Sequence, residues 1–165
     1  PVVTAHEGYP GHHLQLVRSN LSRSVVRKVF TTPVLIEGWA LYCERMMEEE
    51  GYLKDPRTRL FRLKDKLWRA ARVVVDAGLH CRGWSHAKAV DFMLREALLE
   101  RPNAVAEVNR YALTPTQPMS YLLGKREILK LRAKAKRKWG AGFSLRRFHD
   151  WLLDQGSGPP SWLEP

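Results

Sequence analysis

An all-α fold is predicted by three observations. Apolar residues recur at helical spacing along most of the chain, no stretch alternates apolar and polar residues long enough to make a useful strand, and helix-capping residues punctuate the sequence at short intervals. A first helix continues from the segment HEGYPGHHLQ, running from Leu14 to about Val29. Pro33 opens a second, since proline suits a first turn where its missing N–H had no partner, and this helix ends near Gly51. Asp55-Pro56 reads as N-cap and first turn of a third, in which Leu60, Leu63, Leu67, Ala71, Val74 and Val75 form one stripe that stops between Gly78 and Gly83. Ser85 caps a fourth helix carrying Ala89, Phe92, Met93 and Leu94, and Pro102 starts a short fifth to about Tyr111. The stretch PTQP separates that from a long sixth, about Met119 to Lys138, and Ser144 begins the last, to about Leu153. Residues 156–165, GSGPPSWLEP, read as an irregular tail. The expectation is a single domain, 1–165, of about seven helices.

Composition narrows the class. A chain of 165 residues buries a real core, and 44% apolar with 27% charged residues is ordinary for a globular protein. No run of eighteen apolar residues predicts a transmembrane segment, and no secretory leader pattern is present. Neither observation assigns a compartment or an oligomeric state. Cys43 and Cys81 lack CxxC spacing, which argues against a disulfide scaffold. The formal charge of +11 is concentrated late: Lys125, Arg126, Lys130, Arg132, Lys134, Lys136, Arg137, Lys138, Arg146 and Arg147. Such a surface could meet phosphates or an anionic membrane, but charge runs on helices usually face water. Zinc-finger spacing, an RNP-like aromatic motif and a helix-turn-helix are all missing, so no specific nucleic-acid partner is expected.

The first thirteen residues carry the chemistry: His6, Glu7, His12 and His13 lie around a Pro-Gly breaker. Zinc binds neutral imidazole and carboxylate oxygen, and a catalytic zinc keeps three protein ligands and a water. An imidazole pair with an adjacent carboxylate supplies two ligands and a base. The usual helical form is HExxH, but here Pro10 stands where the second histidine belongs. On an unbroken helix His12 would point about 240° from His6, and His13 would lie about 10 Å further along the axis. The GYPG stretch resolves the conflict by looping out two residues between Glu7 and Gly11. That reading makes His6 and His12 ligands, His13 the alternate, and Glu7 the general base. The third ligand is sought in TPVLIEGWALYCERMMEEE, where Glu37 follows an apolar run while Glu44, Glu48, Glu49 and Glu50 read as a solvated end. A buried ion pair of Glu37 with Arg69 or Arg72 is the competing reading. Trp39, Trp68 and Trp84 read as core.

Five stretches in order, HEGYPGHHLQ, EGWALYCERM, LWRAARVVVDAGLH with GWS, EVNRYALTPTQPMSYLLGKREILKLR and FHDWLLDQGSGPPSWLE, make the chain resemble the C-terminal part of domain-of-unknown-function family 885. That family is bacterial, helical and zinc-peptidase-like, and is itself similar to helical zinc peptidases of the thimet-oligopeptidase and angiotensin-converting-enzyme type. The resemblance implies the C-terminal half of a larger metallopeptidase-like fold, and the start at PVVTAHEG, almost on the metal motif, predicts a fragment. It matches Gly11-His12 to the Gly-His of HExGH, and the 25 residues from His12 to Glu37 are close to the interval those peptidases use. From the shared blocks it further implies His80 and Tyr121 as catalytic residues that stabilise an oxyanion, and Arg110 and Tyr111 as substrate-binding residues. Each has a structural reading beside it: His80 capping a helix end, Arg110 pairing with Glu107 or Asp76, the tyrosines packing with bonded hydroxyls. The function implied is hydrolysis of a peptide or small amide substrate with Zn²⁺ as cofactor. The alternatives are a catalytically incomplete zinc or helical interaction module, and a basic nucleic-acid-binding domain.

Overall fold

Capping residues set most helix boundaries. In the computed structural model, which describes all 165 residues, the chain forms α1 (Val2–Glu7), α2 (His12–Asn20), α3 (Val25–Val29), α4 (Pro33–Glu49), α5 (Pro56–Cys81), α6 (His86–Glu96), α7 (Arg101–Leu113), α8 (Gln117–Trp139) and α9 (Leu145–Leu153). There is no strand, so the all-α class holds, and the helix number is close to the seven expected. Thr32, Asp55, Ser85 and Ser144 each accept a backbone N–H from two or three residues on, which satisfies donors a first turn leaves unpaired. No helix is long and apolar enough to cross a membrane.

One boundary differs from the sequence reading. The helix expected from Leu14 to Val29 is two, because α2 stops at Asn20 and Ser24 starts α3 by accepting the Arg27 N–H at 3.4 Å. Ser22 in turn accepts the Ser24 N–H. Serine side chains here compete for backbone donors that a continuous helix would use.

The backbone divides into two compact units, residues 1–53 with 123–165, and residues 54–122. The first unit is built on α4, against which α1 and α2 pack, with α9 against α2. Its core holds Leu35, Trp39, Tyr42, Met46, Ile128, Leu131, Phe148 and Leu152. There α4 and α8 touch backbone to backbone, since a Cβ on Gly38 would lie 2.5 Å from Gly124 and one on Gly124 1.7 Å from the Val34 carbonyl oxygen. In the second unit α5, α6 and α7 pack on one another around Ala71, Val75, Val90, Met93, Ala104, Val108 and Tyr111. The tail contains a short 3-10 turn, Pro160–Trp162, and buries Ser157 against α2 through bonds with Gln15 and Ser19.

Candidate metal centre

The six residues of α1 end at Glu7, and α2 restarts at His12. The sequence suggests a two-residue bulge; the chain instead breaks fully over Gly8–Gly11. Gly8 closes α1 by donating to the Thr4 carbonyl. Gly11 then lies so close to the end of α1 that a Cβ would sit 1.9 Å from the His6 carbonyl oxygen, so only glycine fits. Trp39 fixes the break from below. Its indole N–H donates to the carbonyls of Pro10 at 2.9 Å and Gly11 at 3.2 Å, and the Cys43 thiol lies 3.5 Å from the Pro10 oxygen. Expected as core, Trp39 is buried and also holds this backbone.

That arrangement brings three donors together. Ligand atoms of His6, His12 and Glu37 all lie within 4.8 Å of one another. The Glu37 Oε2 is 3.4 Å from His12 Nε2 and 3.9 Å from His6 Nε2. Those separations are long for a hydrogen bond, whereas ligands on a tetrahedral zinc at its usual bond lengths stand about 3.3 Å apart. His6 Nδ1 lies 2.7 Å from Glu44 Oε1, so in the neutral ring Nδ1–H donates to the carboxylate and the Nε2 lone pair faces Glu37. His12 Nδ1 is buried with no hydrogen-bond partner. Two imidazoles and a carboxylate make a donor set of the kind zinc takes, with His12 Nε2 rather than Nδ1 turned toward Glu37. His13 is exposed and outside the cluster; Glu7, the last residue of α1, is exposed next to His6.

Glu44 corrects the sequence reading. Instead of belonging to a solvated end, it is 1% exposed and bonded to His6. Its position seven residues after Glu37, two helical turns along one face, was the available signal.

The four residues implied by resemblance lie in the second unit, around Arg72. Tyr111 is 0% exposed, and its hydroxyl accepts from Trp68 Nε1 at 3.1 Å and Arg72 Nε at 3.0 Å. Burial pushes its phenol up to about 12. Tyr111 thus packs with its hydroxyl bonded, which is the structural reading set beside its expected binding role. His80 Nε2 lies 3.0 Å from the Tyr111 carbonyl, at the C-terminal end of α7, and 3.6 Å from Asp76. Arg110 donates to Glu107 at 2.8 Å and to Gln117 at 3.0 Å. Tyr121 lies under the Arg72 guanidinium, 4.8 Å from ring centre, with its hydroxyl 3.4 Å from Gln117 Nε2. Arg69 pairs with Asp65 and Arg72 with Glu107.

The basic run is broken up. Lys125 is buried, Arg132 binds Glu49, Lys130 binds Glu127 and Lys134 binds Glu164.

A family model described as a bacterial protein of unknown function, DUF885, matches residues 1–165. Among solved structures, a candidate lipoprotein of unknown function from Shewanella oneidensis is 37% identical with a TM-score of 0.90, over 98% of this chain and 30% of that one. A candidate lipoprotein from Colwellia psychrerythraea is 37% identical with a TM-score of 0.91, over 97% of this chain and 28% of that one. The chain therefore spans less than a third of either structure's length. No curated protein matches it.

Proposed function

Because the chain belongs to the bacterial family DUF885, and carries the donor cluster just described, we propose that it is a zinc-dependent metallohydrolase, of the peptidase type, that cleaves amide bonds. The observation that supports this reading is the convergence of His6, His12 and Glu37, whose ligand atoms lie within 4.8 Å of one another, with the His12–Glu37 pair, at 3.4 Å, near the spacing of ligands on one tetrahedral ion. His6, His12 and Glu37 hold the zinc, and Glu44 orients His6. Zinc, when bound, acts as a Lewis acid and lowers the pKa of water to about 7. Glu7, adjacent to His6, takes a proton from the attacking water and returns it to the leaving nitrogen. An exposed carboxylate suits that task, since it reaches solvent.

Two measurements test this. The purified chain is expected to carry stoichiometric zinc; its absence, with no effect of chelator, would sink the metal site. Glu7→Gln is expected to lower peptide hydrolysis about a hundredfold or more with zinc content unchanged. Equal activity in the two proteins refutes the general-base role. The span of less than a third of the similar structures favours one second reading, a zinc-holding module that is catalytically incomplete alone. Bound zinc without hydrolysis in the unaltered chain identifies that case.

A further inference from the structure

Large apolar side chains stand in solvent on one face of the first unit. Val25, Val26 and Val29 of α3 and the adjoining Leu21 and Trp162 are 70% to 73% exposed, and the Trp162 indole stacks on Phe30 at 5.6 Å between ring centres. Two shallow cavities, about 190 and 340 Å³, are lined there, one by Val26, Phe30, Trp162 and Leu163, the other by Val25, Val26, Val29 and Phe30. Arg27 borders the first of these and also a third cavity of about 380 Å³ formed by Arg18, Arg23 and Ser22 beside Asp154. Along α3, Val25 and Val29 share a line, with Val26 on one flank and Lys28 on the other. Arg18 is tied to Asp150 and Asp154, and Arg27 to the Asp154 carbonyl, but Arg23 and Lys28 have no acidic partner.

We propose that this face docks on an anionic lipid bilayer, with the α3 valines, Phe30 and Trp162 entering the headgroup region and Arg23, Arg27 and Lys28 meeting lipid phosphates. An aliphatic ridge with a tryptophan beside cations is the composition that sits at a membrane interface. A nucleic acid would satisfy the cations and leave the valines in water. A second copy would cover the valines but set Arg23 and Lys28 against like charges. The bilayer satisfies both halves of the surface.

Co-sedimentation of the full chain with vesicles of phosphatidylglycerol and phosphatidylcholine tests this, with pure phosphatidylcholine vesicles as the neutral arm. Binding is expected to the mixed vesicles only, with a blue shift of tryptophan emission that Trp162→Phe removes. The Val25→Asp, Val29→Asp double variant alters only exposed side chains, which circular dichroism checks, and is expected to lower partitioning about tenfold or more. Lys136→Glu with Arg137→Glu, on exposed residues remote from the patch in sequence, changes it less than about threefold. Partitioning unchanged by the aspartates, or equally sensitive to the remote pair, overturns the proposal. So does sedimentation of the lipid-free chain as a dimer that the aspartates dissociate.

Discussion

Glu44 settles which nitrogen of His6 faces Glu37. Its carboxylate takes the Nδ1 proton and leaves Nε2 for the cluster. In the proposed zinc form, Glu44→Ala is expected to weaken zinc binding about 10- to 100-fold by competition with a chelating dye, and Glu44→Gln, which keeps an acceptor, to recover most of it. An unchanged affinity in Glu44→Ala would remove its orienting role. His12 and His13 separate in the same assay: His12→Ala should strip the metal and His13→Ala should leave it, as the exposed ring stands outside the cluster. At this scale the sequence was legible where chemistry is unusual. A histidine cluster beside a Pro-Gly breaker and a glutamate after an apolar run stand out from background. Glu44 did not, because it precedes a run of glutamates of which Glu49 and Glu50 are exposed, and burial of one carboxylate among several is a tertiary fact.

The crossing of α4 and α8 depends on Gly38 and Gly124 having no side chains. Gly124→Ala would push a methyl into the Val34 carbonyl, where neither partner is a flexible side chain that can move aside. It is expected to destabilise by about 1–3 kcal/mol or more, read from urea unfolding of the purified variant. A larger effect on zinc content than on stability would mean that Glu37, next to Gly38, moves with the helix. Element positions were mostly legible, since Pro33 opens a helix and Asp55, Ser85 and Ser144 cap where their chemistry predicts. The break between α2 and α3 was not, because Leu16, Val17, Val25 and Val29 continue a helical spacing across serines that end the helix locally. The Gly8–Gly11 break was anticipated in place and underestimated in extent, since nothing in GYPG announces that Trp39, nearly thirty residues on, holds it.

At the scale of the molecule, one half-buried histidine, His149, links stability to pH. Burial, and then the nearby Arg132 charge, lower His149 to about 4, and its Nε2 meets the Tyr42 hydroxyl at 2.8 Å. The folded ring is thus neutral where an unfolded one, with an ordinary value near 6.5, takes up a proton. Between about pH 6.5 and 4 the unfolded state binds more protons, so stability rises with pH through that window and is lost as pH falls. The loss amounts to about 3 kcal/mol at most. Urea midpoints at pH 7 and 4.5 should differ less in His149→Gln than in the parent; parallel losses would show that other groups carry the effect. The division into two units was not legible, because periodicity reports what each helix buries and not which distant segments share a core.

The first unit is closed by Ser157, wholly buried between Gln15 and Ser19, while the second is one uninterrupted stretch, 54–122. During synthesis the three donors leave the ribosome well before residues 123–165, which complete their unit. At about 5–20 residues per second the interval is on the order of ten seconds. Over that time Trp39 and Glu44 can already reach the Gly8–Gly11 break and His6, but the core under α4 lacks Ile128, Leu131, Phe148 and Leu152.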